Sequence, residues 1–238
     1  MANIALIIAG GVGARMGQDI PKQFINVNDK PVIIYTLEAF QRHSDIDAIE
    51  VVCLDGWHDV LNAYAKQFGI AKLENIVSGG LNGQDSIRNG ILDIYKRYNS
   101  DDDIVLIHDA IRPMILPEII SDNIKICRKY GNAITVVPCT AAMLKTYDSI
   151  STEEQVARDN LKITQTPQSF FIKDIVNTHK EALEKGITNS VASCTLYIEL
   201  GKELYMSKGS EKNLKLTTTE DIEIFKALLQ AKKDEWMH

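Results

Sequence analysis

Between Ala9 and Lys22 the chain reads AGGVGARMGQDIPK. Gly10, Gly11, Gly13 and Gly17 leave backbone N–H groups open to close approach by an anion, and Arg15 and Lys22 add mobile positive charge beside them. A triphosphate needs both features. The segment follows an apolar run, ANIALIIA, so it lies at the carboxyl end of a strand, where open α/β sheets bind their ligands. Two better-known phosphate loops fit poorly. A Walker A loop ends in Gly-Lys-Ser/Thr, which is absent here. A dinucleotide loop needs G-x-G-x-x-G running directly into a helix, whereas this spacing is G-x-G-x-x-x-G with Pro21 in a polar stretch behind it. The plain alternative is a glycine turn with two solvated cations.

The elements that must position this loop follow from periodicity. Residues 2–9 are a short, nearly continuous apolar run, as in a buried parallel strand. Residues 31–43 read as a helix, with Pro31 suited to its first turn and Ile33, Leu37 and Phe40 at helical spacing. Strands are expected at 48–54, 76–77, 103–107 and 133–137, and helices at 57–68, 85–98 and 117–130. This alternation predicts a doubly wound, mostly parallel sheet. The rhythm breaks over 138–165, which is polar and weakly periodic and reads as an excursion from the sheet. It resumes with helices near 173–185 and 191–200, a strand near 204–207 and a last helix near 219–231.

Composition sets the outer limits. The 238 residues suit one large α/β domain with a modest insertion at about 139–165. The net charge of −6 gives no support to a bulk nucleic-acid binder. Cys53, Cys127, Cys139 and Cys194 lack CxxC spacing, which speaks against a zinc or redox motif and for reduced core thiols. No apolar run approaches the roughly 20 residues that span a bilayer. No basic segment precedes a signal-type run, so the cytoplasm is the expected compartment.

At this point the residues resemble a known family. GGVGARM followed by four residues and Pro21-Lys22 is similar to the G-G-x-G-x-R-M-x4-P-K signature of sugar-nucleotide-type nucleotidyltransferases. Pro21-Lys22-Gln23-Phe24 narrows the resemblance to the branch that holds 2-C-methyl-D-erythritol 4-phosphate and ribitol-5-phosphate cytidylyltransferases. Its other landmarks occur in order: Gly79-Gly80 with Asp85-Ser86, His108-Asp109-Ala110-Ile111-Arg112-Pro113, Thr166-Pro167-Gln168, and Asn213-Leu214-Lys215-Leu216-Thr217. The resemblance implies a Rossmann-like α/β fold with a protruding dimerisation arm, CTP as donor, Mg²⁺ or another divalent cation, and a homodimer.

The same resemblance implies roles. Ala9, Gly10, Gly11 and Gly13, with Arg15 and Lys22, would hold the CTP phosphates. Gly80 and Ser86 match the segment that reads cytosine, although Ser86 suits a helix cap or first turn equally well. Asp109 would lie beside the acceptor and the metal; a turn or cap aspartate is the plain reading. Arg112 would serve the acceptor, against a surface arginine. Lys215, in a strand-like segment, would sit near the α-phosphate. Arg158 matches an arm arginine that reaches the partner chain's acceptor phosphate. His108 reads as structural. The nucleophile would be the acceptor's own phosphate oxygen, so no general base is assigned.

Three departures from the family pattern stand out. Gly83 occupies the place of an Arg in the base-reading loop, Ala142 that of a Thr in the arm, and Val191, Ala192, Ser193 and Cys194 that of a Thr-Asp-Asp/Glu stretch. The last two fall where the acceptor would sit. The AGGxGxRMG and PKQF forms are closer to the ribitol 5-phosphate subgroup than to the AAGxGxRM and PKQY forms of the isoprenoid enzyme. The expected reaction is therefore CTP plus ribitol 5-phosphate giving a CDP-polyol and pyrophosphate, with methylerythritol 4-phosphate as the other acceptor. A nucleotide-binding regulator without turnover is the alternative of another class, and retention of Arg15, Lys22, Asp109 and Lys215 argues against it.

Overall fold

A computed structural model describes residues 1–11 and 20–235 of the chain. The first strand, β1 (Asn3–Ala9), is followed by a 3-10 turn (Lys22–Phe24), a small ribbon of β2 (Asn26–Val27) and β3 (Lys30–Pro31), and α1 (Val32–Arg42). Then come β4 (Ala48–Cys53), α2 (His58–Gln67), β5 (Leu73–Ser78), α3 (Gly83–Arg97) and β6 (Ile104–Asp109). The helix α4 (Pro117–Tyr130) begins on a proline and ends on Gly131 at φ 99°, a left-handed cap that glycine adopts without a steric penalty. It leads into β7 (Asn132–Pro138).

The excursion after β7 is an arm. It carries β8 (Met143–Lys145) paired antiparallel to β9 (Glu154–Val156), then a 3-10 turn (Arg158–Asn160). Leu144, Tyr147 and Ile150 are exposed along it. The arm closes at its base, where Lys162 pairs with Pro138 as β10 (Lys162–Phe171) begins. The chain ends with α5 (Ile172–Glu184), α6 (Ser193–Glu199), β11 (Met206–Lys208) and α7 (Thr219–Glu235).

The central sheet has seven strands in the order β11-β7-β10-β6-β1-β4-β5. Neighbours are parallel except at β10, which runs antiparallel between β6 and β7. The side chains of β1 alternate as a strand buried on both faces requires. Ala5, Ile7 and Ala9 join Leu37, Phe40 and Ile120 of α1 and α4, while Ile4 and Leu6 join Ile91, Ile175 and Tyr197 of α3, α5 and α6. Helices thus cover both faces, as the alternation predicts.

Two expectations need correction. The strand β10 takes the end of the predicted excursion and the residues after it, where no strand was expected. The segment around Lys215 is not a strand: it is irregular and tied to the body by Leu216 N–H donating to the Ile111 carbonyl at 2.9 Å.

Candidate active site

The parallel strands β1 and β6 stop side by side at Ala9 and Asp109, with Ile8 in register with Asp109. Two cavities open at this edge. One, of about 500 Å³, is walled by Ala9, Gly10, Gly11, Lys22, Gly80 and Ser86 among others. The second, of about 340 Å³, is walled by residues of β6 and β10 together with Val191, Ala192 and Ser193. Asp109, Lys215, Ile8 and Gly83 line both.

The first cavity is made mostly of backbone. Gln23 is 1% exposed, and its Nε2 donates to the carbonyls of Ala9 at 2.7 Å and Gly11 at 3.1 Å. One amide thus fixes the chain on both sides of Gly10. On the facing side, Gly80 N–H donates to Ser86 Oγ at 2.9 Å, and that hydroxyl donates to the Asn82 carbonyl at 2.9 Å. A Cβ on Gly80 would lie 2.3 Å from Asp85 Cβ, so the loop can turn this tightly onto α3 only with glycine there. The cap of α3 is Asn82, whose Oδ1 accepts from Asp85 N–H at 2.9 Å. Ser86 lies beyond the cap, in the first turn of α3, where its hydroxyl holds the loop. Gly13 and Arg15 lie outside the described residues.

The cavities meet at an ion pair. Lys215 Nζ is 3.2 Å from the Asp109 carboxylate, and Arg112 Nε donates to Asp109 Oδ2 at 3.0 Å. Burial alone would raise the Asp109 pKa, but Lys215, Arg112 and His108 outweigh it and hold the carboxyl below the usual carboxylate range. Lys215 keeps 43% of its side chain exposed and can still turn towards a ligand. Arg112 cannot do so as readily. It is 9% exposed, and its Nη1 is spent on the Asn213 carbonyl at 2.8 Å. Arg112 lines the second cavity, and it also orients Asp109 and anchors the segment that carries Lys215.

Beneath this pair lies a polar scaffold. Thr166 Oγ1 accepts from Asp109 N–H at 3.1 Å and meets His108 Nδ1 at 3.0 Å, while His108 Nε2 is 3.3 Å from the Arg112 carbonyl. Burial lowers the His108 pKa to about 4, so the imidazole is neutral and braces the turn after β6. Asn213 Nδ2 donates to the Thr166 carbonyl at 2.8 Å, and Gln168 Oε1 accepts from Cys194 N–H at 3.0 Å.

The structure brings Ala9, Gly10, Gly11, Lys22, Gly80, Ser86, Asp109, Arg112 and Lys215 to one edge of the sheet. Arg158 is absent from the described linings of both cavities; it sits at the base of the arm, where its Nη1 donates to the Thr140 carbonyl at 2.6 Å. Sequence reasoning assigned no role to Gln23, Thr166, Gln168 or Asn213, although all four stand inside the quoted motifs.

Comparison with known proteins agrees with this geometry. The family model described as IspD, 2-C-methyl-D-erythritol 4-phosphate cytidylyltransferase, matches residues 3–231. A ribitol-5-phosphate cytidylyltransferase of Lacticaseibacillus paracasei is 42% identical over 231 residues, covering 96% of this chain and 98% of that protein. A 2-C-methyl-D-erythritol 4-phosphate cytidylyltransferase of Clostridium botulinum is 36% identical over 230 residues, covering 96% and 97%. The crystal structure of 4-diphosphocytidyl-2C-methyl-D-erythritol synthase from Anaerococcus prevotii superposes with a TM-score of 0.81 at 25% identity, over 96% of each chain.

Proposed function

The chain belongs to the 2-C-methyl-D-erythritol 4-phosphate cytidylyltransferase family, and from that premise we propose that it transfers the CMP part of CTP to ribitol 5-phosphate and releases pyrophosphate. The observation that carries the reading is the Asp109–Lys215 pair on the wall shared by two cavities. A phosphate-to-phosphate transfer needs such a junction. The acceptor's phosphate oxygen attacks the α-phosphorus, the bond to pyrophosphate breaks, and charge gathers on the phosphoryl oxygens.

In this reading Gly10 and Gly11 present N–H groups to the triphosphate, with Lys22 and Arg15 supplying cations. Gly80 and Ser86 face a base of pyrimidine size. Lys215 lies between α-phosphate and acceptor phosphate, where fixed positive charge stabilises the transition state most. The acceptor arrives already ionised, so no residue has to take its proton. Asp109, held ionised by its neighbours, is the carboxylate that would hold a Mg²⁺ carried in with the triphosphate, since Mg²⁺ takes one or two carboxylates plus phosphate oxygens. Bound there, the ion would neutralise phosphoryl charge.

The acceptor assignment is supported by the higher identity to the ribitol-5-phosphate enzyme, 42% against 36%. The arm, with its exposed Leu144, Tyr147 and Ile150, suits contact with a second subunit and would carry Arg158 to the partner's acceptor phosphate.

The test is pyrophosphate release with CTP and Mg²⁺ against a panel of four- to seven-carbon polyol phosphates. Ribitol 5-phosphate should give the highest kcat/KM. A preference for methylerythritol 4-phosphate would move the chain to the isoprenoid reaction, and CTP binding without turnover on any acceptor would overturn the enzymatic reading.

A further inference from the structure

Gln84 belongs by position to the nucleotide side, in the first turn of α3, yet its amide serves the other cavity. It is 3% exposed. Its Nε2 donates to the Ile187 carbonyl at 2.7 Å, and its Oε1 accepts from Ser190 N–H at 2.7 Å. Asn82, the cap of the same helix, donates from Nδ2 to the Thr188 carbonyl at 3.1 Å. The loop so held runs from α5 to α6 and leads directly into Val191, Ala192 and Ser193 on the acceptor wall.

The two residues that Gln84 holds are also tied to the helices on either side. Ile187 N–H donates to the Ala182 carbonyl at 2.8 Å, and Ser190 Oγ donates to Glu199 at 2.8 Å. Between them, Thr188 is held by the cap of α3. The same first turn of α3 faces the nucleotide cavity through Leu81, Asn82 and Gly83, and Gly83 lines both cavities. Leu81 is 100% exposed and Val191 93% exposed, one on the wall of each cavity. Both walls thus have apolar surface still to bury, and both are tied to one helix end.

We propose that Gln84 is a positioning residue that sets the acceptor wall from the nucleotide side, so that filling the nucleotide cavity tightens acceptor binding. The proposal rests on the cytidylyltransferase reading above. A base lodged against Gly80 and residues 81–83 restrains the first turn of α3. The paired amide hydrogen bonds then hold residues 187–192 in place, and the acceptor meets a wall already ordered. Coupling of this kind is reciprocal: the acceptor must tighten nucleotide binding by the same factor.

The experiment uses the intact enzyme, ribitol 5-phosphate, and a CTP analogue with a methylene bridge between the α- and β-phosphorus, which cannot transfer CMP. In the wild type, the analogue should tighten acceptor binding by about fivefold or more. It should also slow amide hydrogen exchange across residues 187–192. Gln84→Met keeps the length of the side chain and removes both hydrogen bonds. It should bring the coupling ratio close to one, so that neither ligand tightens the other, while binding of the analogue in the absence of acceptor stays within about twofold of the wild type. A role confined to stability would instead lower Tm and leave the ratio unchanged, which overturns the proposal. So does a wild type without coupling or exchange protection, or a variant in which the analogue binds more weakly even in the absence of acceptor. If Gln84→Met does not fold, Gln84→Asn and the wild-type exchange measurement decide the matter. If another polyol phosphate proves to be the acceptor, the ribitol assignment falls, and the same ratio measured with that acceptor still judges Gln84.

Discussion

The two cavities that meet at Asp109 and Lys215 are built from different materials. The nucleotide side is backbone: glycines at the ends of β1 and β5, a hydroxyl that holds one loop, and an amide that holds the other. Its main contacts span 14 residues between Gln23 and Ala9 and 6 between Gly80 and Ser86. The acceptor side is side chains brought from distant elements. Asp109 and Thr166 are 57 residues apart, Arg112 and Asn213 101, and Lys215 and Asp109 106. Recognition by backbone is insensitive to most substitutions nearby. Recognition by assembled side chains changes with each of them. A family built this way can keep its nucleotide and exchange its acceptor.

The junction should be the most sensitive point. Lys215→Ala removes a cation where the cavities meet, and turnover should fall by about a hundredfold or more, as on loss of a transition-state donor. Tm should change little, because the side chain is 43% exposed. Near-normal turnover would place the junction elsewhere.

A matched pair of variants then separates the two sides. Gly80→Ala forces a Cβ to within 2.3 Å of Asp85 Cβ and must open the loop. The CTP KM should rise by roughly tenfold to a hundredfold, the usual cost of misplacing a binding group by an ångström, with a smaller change for the acceptor. Arg158→Ala should do the reverse, weakening acceptor use by about tenfold with CTP binding nearly intact, as on loss of a charged hydrogen bond. If Arg158 acts across a dimer, mixing Arg158→Ala with Lys22→Ala subunits restores part of the activity. A monomeric active enzyme, or no recovery after verified subunit exchange, would rule this out.

The mildest effect concerns two buried histidines, His108 under the acceptor side and His179 on α5. Burial lowers the His108 and His179 pKa values to about 4, so between pH 6.5 and 4 the unfolded chain binds two protons that the folded chain refuses. Stability from these groups is lost as the pH falls through that window. Glu50, raised to about 7 by burial against the pull of Arg97, works in the opposite direction, because the folded state binds its proton first. The net of one proton implies a loss of roughly 1.4 kcal/mol per pH unit near pH 5.5. Denaturant titrations from pH 7 to 5 check the slope, and His179→Leu should flatten it; an unchanged slope would show that His179 does not contribute.

The difference between the two sides also decides what could be read in the sequence. The strand β1 was legible because both faces are buried and its residues are almost all apolar. The glycine run after it was legible because its chemistry is contiguous. The strand β10 was not, although it lies inside the sheet. Its middle reads Thr164, Gln165, Thr166, Pro167, Gln168 and Ser169, which resembles a loop. Gln165, Gln168 and Ser169 are buried, and this stretch finds partners from elsewhere: Asn123 Nδ2 donates to the Pro167 carbonyl at 3.1 Å, and Ser169 Oγ donates to Asn123 Oδ1. Nothing in the local pattern announces such partners. The structural partner of Arg112 was hidden for the same reason, since the Asn213 carbonyl lies far along the chain. The departures at Val191, Ala192 and Ser193 were visible as letters, and the structure supplies their location on one wall of one cavity.

The pairing of Lys162 with Pro138 at the base of the arm has a consequence for how this chain can vary. The two ends of the excursion are fixed to each other and to the sheet before the arm begins. Its length is therefore a free parameter of the polymer, and doubling it would add only about 0.6 kcal/mol of closure entropy, with no change in where β10 enters. Insertions and deletions between those two residues should accumulate without moving Thr166 or Gln168. The tip of the arm can then diverge at the pace of a surface loop while the sheet edge stays in register, and only the placement of Arg158 would tie the arm to the reaction.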